Sequence, residues 1–392
     1  MSNSCKTAAS ALALLATLAT TASAEPAKSI RIGLVTTLTG PPAVLGQHTR
    51  DGFQLAIKQL GGKIAGIPAE VLVVDDELKP EVGIQRVQQL IERDKVDAIV
   101  GIVFSNILMA TARRMVDGQT VFIGTNAGPS PIAGARCSPY LFSAAYQNDQ
   151  NAEAMGRHAT QKGYRKIVVV APNYQAGKDV VAGFKREYKG EIVDEIFVPL
   201  TQPDFSSDLA KIVAAKADAA FVFMPGGLGV TFVKQWRQAG ITLPMLSAHT
   251  IDETNLPALQ DAAVGTSGVT NWSSALEVPA SRSFVEAFTA EYKYTPANYA
   301  AHAYDAATWL NAAVTALKGE IADRTKLIDA LRKAKFESVR GRFEIGPNQF
   351  PIQDYYLVAV KKREDGSFAT EIESKIVEGL PDAYGKDCKM PF

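Results

Sequence analysis

Residues able to do covalent or metal chemistry are few in this chain and poorly spaced for it. The four histidines, His48, His158, His249 and His302, are scattered, whereas a metal motif sets its ligands a few residues apart. No His-Glu-x-x-His, Cys-x-x-Cys, Gly-x-Ser-x-Gly or complete phosphate-loop motif occurs. Ala176-Gly177-Lys178-Asp179 has the Gly-Lys pair of a phosphate loop, but Pro172 replaces its first glycine and Asp179 its hydroxyl residue. Asp75-Asp76 ends a predicted strand, where neighbouring side chains point to opposite faces, so turn formation explains the pair better than acid–base work. Gly226-Gly227-Leu228-Gly229 lacks the dinucleotide-binding spacing. No cofactor is expected.

Small polar loops stand where catalytic groups do not. Ser105-Asn106 follows an apolar run at 101–104, and Asn126-Ala127-Gly128 follows one at 121–124. Such loops, at the carboxyl ends of strands in an open α/β sheet, are where ligands sit. Free backbone N–H groups at a helix N-terminus also favour an anion such as a carboxylate. Taken singly, the same residues serve equally as N-caps and turns.

The elements that must position these loops alternate regularly. Strands are predicted at 30–34, 70–74, 98–103 and 121–124, with helices at 46–60, 81–93 and 106–116 between them. A second cycle sets helices at 150–162, 178–188, 206–215 and 229–239 among strands at 166–171, 191–198, 219–224 and 245–247. Strand–helix alternation implies right-handed crossovers and mainly parallel sheets, and unbroken apolar strands such as 166–171 imply a sheet covered on both faces. The fold class is therefore α/β, with two doubly wound sheets in succession. Helices at 281–291 and 299–317 and a strand at 354–361 then break the pattern, which suggests that the chain crosses back between lobes.

The chain has 392 residues, with 41 basic and 41 acidic groups and 47% hydrophobic residues, a size of about two or three compact units. Without a basic excess, nucleic acid is excluded as an expected partner. Residues 1–24 carry Lys6, an apolar run at 8–18 and Ala22-Ser23-Ala24, the pattern of a secretory signal cleaved after Ala24. The apolar run is shorter than the roughly 20 residues that span a bilayer, so no direct membrane insertion is expected. Export leaves Cys137 and Cys388 as the two remaining cysteines. An oxidising compartment allows them to pair; two separate thiols remain the alternative.

A family resemblance emerges from Ile32-Gly33-Leu34-Val35, Thr39-Gly40-Pro41-Pro42-Ala43 with Gly46, Val74-Asp75-Asp76, Val100-Gly101, Asp204-Phe205-Ser206 and Tyr304-Asp305-Ala306. In this order, over residues 29–360, they resemble the periplasmic substrate-binding proteins of branched-chain amino acid type ABC importers. The resemblance implies two lobes joined by a three-crossover hinge: 25–145 plus 271–352, and 146–270 plus 353–392. It also implies a periplasmic protein, expected to be a monomer, that closes on a small carboxylate and delivers it to a membrane permease. The family's carboxylate clamp falls on Ser105, with Asn106 beside it, and on Ala127 and Gly128. Tyr174, Gln175 and His249 would address the far end, with Leu45, Gly227 and Trp272 as further walls.

One departure from the pattern bears on the ligand. Amino-acid binders hold the ammonium group with an acidic residue in the loop that here reads Ala248-His249-Thr250. A buried ammonium without an anionic partner is costly, so an ordinary α-amino acid is not the favoured ligand. The runs 173–179 and 147–150 look similar to the subgroup that binds aromatic acids. Amino-acid uptake is the alternative, and an exported sensor on the same fold is a second one. With no nucleophile paired to a base, an enzyme is not expected.

Overall fold

The computed structural model describes residues 29–390 together with Met1. The expected signal segment and its cleavage site, Met1 apart, lie outside the described residues.

The first sheet contains β1 (Ile30–Thr36), β2 (Lys63–Ile64), β3 (Ile67–Asp75), β4 (Ala98–Gly101), β5 (Val121–Gly124) and β6 (Leu141–Ser143). Their spatial order is β2-β3-β1-β4-β5-β6, all parallel except the short β2. The second sheet contains β7 (Lys166–Pro172), β8 (Glu191–Val198), β9 (Ala219–Val222), β10 (Met245–Ala248), β11 (Ser267–Thr270), β12 (Phe343–Ile345), β13 (Pro351–Lys362) and β14 (Phe368–Leu380). Strands β8-β7-β9-β10-β11 are parallel, and β13 joins β11 antiparallel, with β12 and β14 on it. The predicted α/β class with two mainly parallel sheets is what the chain adopts.

Every residue of β4, β5 and β9 is buried, because helices cover both faces of each sheet. On one face of the first sheet, Phe53 of helix Ala43–Gln59 and Trp309 of helix Asn298–Ala316 pack on Ile32, Leu34 and Val100. In the second, Phe184 stacks on Phe221 at 4.1 Å and Trp236 lies among Val168, Val170 and Val222 on the opposite face. Burying each such side chain stabilises the fold by about 1.5–3 kcal/mol.

The sequence predicted one late strand at 354–361, but the chain forms a long hairpin of β13 and β14. Glu371, Glu373 and Lys375 make β14 read as a polar tail, yet it is an outer strand that turns those side chains to solvent while Ala369, Val377 and Leu380 are buried. Gly366, at φ +82°, and Asp365, which accepts from Ser367 N and Oγ, form the turn.

The chain passes between the sheets after β6, after β11 and again on either side of β12. The three passes meet at one atom. The Ala145 carbonyl accepts from Asn271 Nδ2 at 3.2 Å, Arg340 Nη1 at 3.1 Å and Gln353 Nε2 at 2.7 Å. Strand β12 sits at the seam: it pairs with β13, while Phe343 and Ile345 pack against the first core. Cys137 and Cys388 are bonded, with Cα atoms 5.6 Å apart. The bond fastens the segment after β14 to the loop before β6.

Candidate ligand-binding site

The ends of β4 and β5 open into a narrow cavity between the two sheets' domains. Gly101 ends β4 at φ +118°, and a Cβ there would lie 2.1 Å from the Val35 carbonyl oxygen. Only glycine lets the chain turn so close to β1. Three residues later the helix Ser105–Asp117 begins with Phe104 as its N-cap residue, so its first N–H groups have no intrahelical partner. Ser105 is buried, and its Oγ accepts from Asn148 Nδ2 at 3.1 Å. With that lone pair engaged, the hydroxyl proton is available to a ligand in the cavity.

The cavity is walled largely by rings. Phe104 comes from the first sheet's side, and Tyr174 and Phe223 from the second. Tyr174 stands 6.4 Å from Phe104 and stacks on Phe223 at 6.3 Å with 13° between the planes. Opposite them Tyr146 stacks on His249 at 4.8 Å. Asn126 holds that wall in place: its Nδ2 donates to the Val103 carbonyl at 2.7 Å and its Oδ1 accepts from the Tyr146 hydroxyl. Leu45 and Tyr299 close the remaining side.

Burial keeps these groups neutral. It lowers the His249 imidazole from 6.5 to about 4 and pushes the Tyr146, Tyr174 and Tyr299 phenols well above their ordinary range. His249 Nε2 faces the Asn151 side-chain amide at 2.8 Å. No acidic side chain lines the cavity among the described residues. It can therefore enclose a flat apolar body and donate to an anion at the Ser105 end.

The structure brings Leu45, Ser105, Ala127, Tyr174 and His249 of the predicted site residues onto this one cavity. Five others stand elsewhere. Asn106, one residue into the helix, turns away from the cavity and its Oδ1 has no partner. Gly128 packs against the first crossover: a Cβ would lie 2.1 Å from the Tyr146 carbonyl oxygen, and its N–H donates to Asn148 Oδ1 at 3.0 Å. The Ala127 N–H, expected to hold a carboxylate, instead donates to the Ile102 carbonyl at 3.2 Å. Gln175 donates to Asp179 Oδ1 at 2.8 Å, beside the interlobe contact in which Asp179 accepts from Ser130 N and Oγ. Gly227 faces Pro41 in a separate apolar groove. Trp272 is buried, donates from Nε1 to Ser281 Oγ at 3.0 Å and packs on Phe284.

Sequence reasoning named Asn126 only as part of a strand-end loop and left out Phe223, while Tyr146 and Tyr299 also line the cavity. The available signal was position. Phe223 follows β9 and Asn126 follows β5, the same carboxyl edges that directed attention to Ser105.

Comparison with known proteins fits this geometry. A family model described as periplasmic binding protein matches residues 29–367. The chain belongs to that family. Its members capture solutes and do not transform them. A solute-binding protein of an ABC transporter from R. palustris, solved in complex with benzoate, is 30% identical; the match covers 92% of this chain and 99% of that one, with a TM-score of 0.87. A Rhodopseudomonas palustris BisB5 counterpart in complex with 3,4-dihydroxy benzoic acid is also 30% identical, covering 91% and 99%, with a TM-score of 0.86. Among curated relatives, Leu/Ile/Val-binding protein homolog 6 of Brucella melitensis is 28% identical over 389 residues, which is 95% of this chain and 98% of that protein. No helix among the described residues is long and apolar enough to cross a membrane.

Proposed function

We propose that this protein is the extracytoplasmic solute-binding component of an ABC importer and that its ligand is a flat aromatic carboxylate. One observation carries the reading. The cavity sets the Ser105 hydroxyl and a helix N-terminus at one end, with aromatic rings and a neutral His249 around the rest, and among the described residues no acid lines it. A carboxylate at Ser105 gains a charge-assisted hydrogen bond and the favourable end of the helix dipole, while the ring is enclosed by Phe104, Tyr174 and Phe223. The benzoate and dihydroxybenzoate complexes of its structural relatives support the same ligand class.

Amino-acid uptake is the second reading, supported by the name of the Brucella relative. An α-amino acid here would need a carboxylate for its ammonium group, and the acids that follow His249 in the chain, Asp252 and Glu253, line a separate cavity. A thermal-shift and calorimetric screen of benzoates, cinnamates and phenylacetates against leucine-like amino acids tests the choice. Stabilisation by aromatic acids alone is expected: a ligand at 100 times its Kd adds about 2.7 kcal/mol. Stabilisation by leucine-like amino acids alone would overturn the aromatic reading and keep the fold.

In this reading the protein is exported by the segment 1–24, starts at Glu25 when mature and delivers its ligand to a membrane permease as a monomer. Intact mass of the periplasmic protein and its size in solution check the first and last points. Slower growth on the ligand after deletion, with no change in ligand-dependent gene expression, would favour import over sensing.

A further inference from the structure

His249 separates the ligand cavity from a second, small one, walled in part by Ser247, Asp252, Glu253, Trp272 and Asn298. Two of its buried polar atoms, a serine hydroxyl and an amide oxygen, are unused, and both can accept a hydrogen bond. Ser247 is 1% exposed and Asn298 4%, and neither Ser247 Oγ nor Asn298 Oδ1 has a hydrogen-bond partner. Asp252 Oδ1 accepts from Thr254 N at 2.8 Å, and Glu253 Oε1 accepts from Thr370 N at 3.3 Å, but no cation is among the groups that offset the burial of either carboxyl. Two donors on the same walls are engaged, Trp272 Nε1 with Ser281 Oγ and Thr270 Oγ1 with the Trp272 carbonyl.

Buried acceptors without partners cost free energy, and a donor brought by a ligand would remove that cost. Asp252 lies near enough to Tyr146 and Tyr299 to oppose their ionisation, so its carboxylate sits behind rings that wall the ligand cavity. Within the aromatic-acid reading, on which this step rests, we infer that the chamber beside His249 receives a hydrogen-bond-donating group carried by the ligand at the end remote from its carboxylate. Hydroxyl- or amino-substituted aromatic acids are then the preferred class over unsubstituted, methyl or methoxy ones. Ser247, Asp252 and Asn298 set that preference.

The test is calorimetry of the mature protein with benzoate and its 3- and 4-hydroxy, amino, methyl and methoxy derivatives, repeated on Ser247→Ala and Asp252→Asn. A hydroxyl or amino derivative is expected to bind at least tenfold more tightly than the methyl derivative at the same ring position. That ratio should fall at least fivefold in one or both variants, each verified as folded by its melting transition. Preference for the amine over the hydroxyl assigns recognition to the carboxylates; the reverse assigns it to Ser247 and Asn298. Equal affinities within twofold at both ring positions, or a ratio unchanged in both variants, would overturn the inference and leave the aromatic-acid reading intact. If no aromatic acid binds at all, the functional reading fails and the inference fails with it.

Discussion

Ser105 is where one side chain should decide most. Its hydroxyl is positioned by Asn148 and stands at the start of a helix. In the proposed complex, Ser105→Ala removes a charge-assisted hydrogen bond from the ligand carboxylate, and a loss of about 1–3 kcal/mol in binding is expected by calorimetry. Unchanged affinity would remove Ser105 from the site. His249 gives a pH test. Its folded value of about 4 lies below the unfolded value of about 6.5. As pH falls from 7 to 5, the unfolded chain therefore binds a proton that the folded one refuses, and stability drops by about 2 kcal/mol through this residue. Denaturant titrations of the native protein and His249→Gln should diverge by that amount. Affinity for unsubstituted benzoate, which puts no donor into the chamber of Glu253, should stay flat between pH 6 and 8, since His249 is neutral and the ligand anionic throughout; affinity rising steeply toward pH 6 would place the carboxylate against His249. Asp75 and Asp76 were legible as turn formers. Asp75 accepts from Leu38 N and Glu77 N, and Asp76 from Thr37 Oγ1 and Leu78 N. Together they fasten the loop that follows β1.

Among the elements, the hinge is the most demanding piece of construction. Arg340 is buried and pairs with Asp305 at 2.8 Å, while Asp305 also accepts from Ser338 Oγ and Val339 N. Asp305→Ala would leave a buried guanidinium without its anion, and a loss of about 3–5 kcal/mol is expected in chemical denaturation. A loss under 1 kcal/mol would mean that the hinge relaxes enough to hydrate Arg340. Helices and central strands were readable from periodicity because burial on one face or both imposes it. Strands β6 and β11 and the β14 edge were not: β6 has three residues, β11 reads Ser-Gly-Val-Thr with a single large apolar side chain, and β14 has a polar outer face.

At the scale of the whole molecule, the Cys137–Cys388 bond joins positions 251 residues apart. Such a long closed loop restricts the unfolded chain strongly, and removing a native disulfide typically costs about 2–5 kcal/mol. Cys137→Ser with Cys388→Ser should therefore melt several degrees lower than the native protein. Reductant should lower the melting temperature of the native protein and leave the double variant unaffected. An identical transition in both proteins would show that the segment after β14 is held by its other contacts, such as the Tyr384 hydroxyl to Asp149 Oδ2 at 2.9 Å. Amino-acid order alone determined the α/β alternation, the two cycles, the return of the chain and the small-residue loops at strand ends, since each follows from local periodicity and turn chemistry. Tertiary structure decided which of those loops face one cavity. It consumed the Ala127 and Gly128 N–H groups in packing, turned Gln175 to Asp179 and brought Tyr146, Phe223 and Tyr299 around one cavity. These outcomes depend on how two separately folded sheets meet across a hinge, and contacts between residues distant in the chain leave no periodic trace in its sequence.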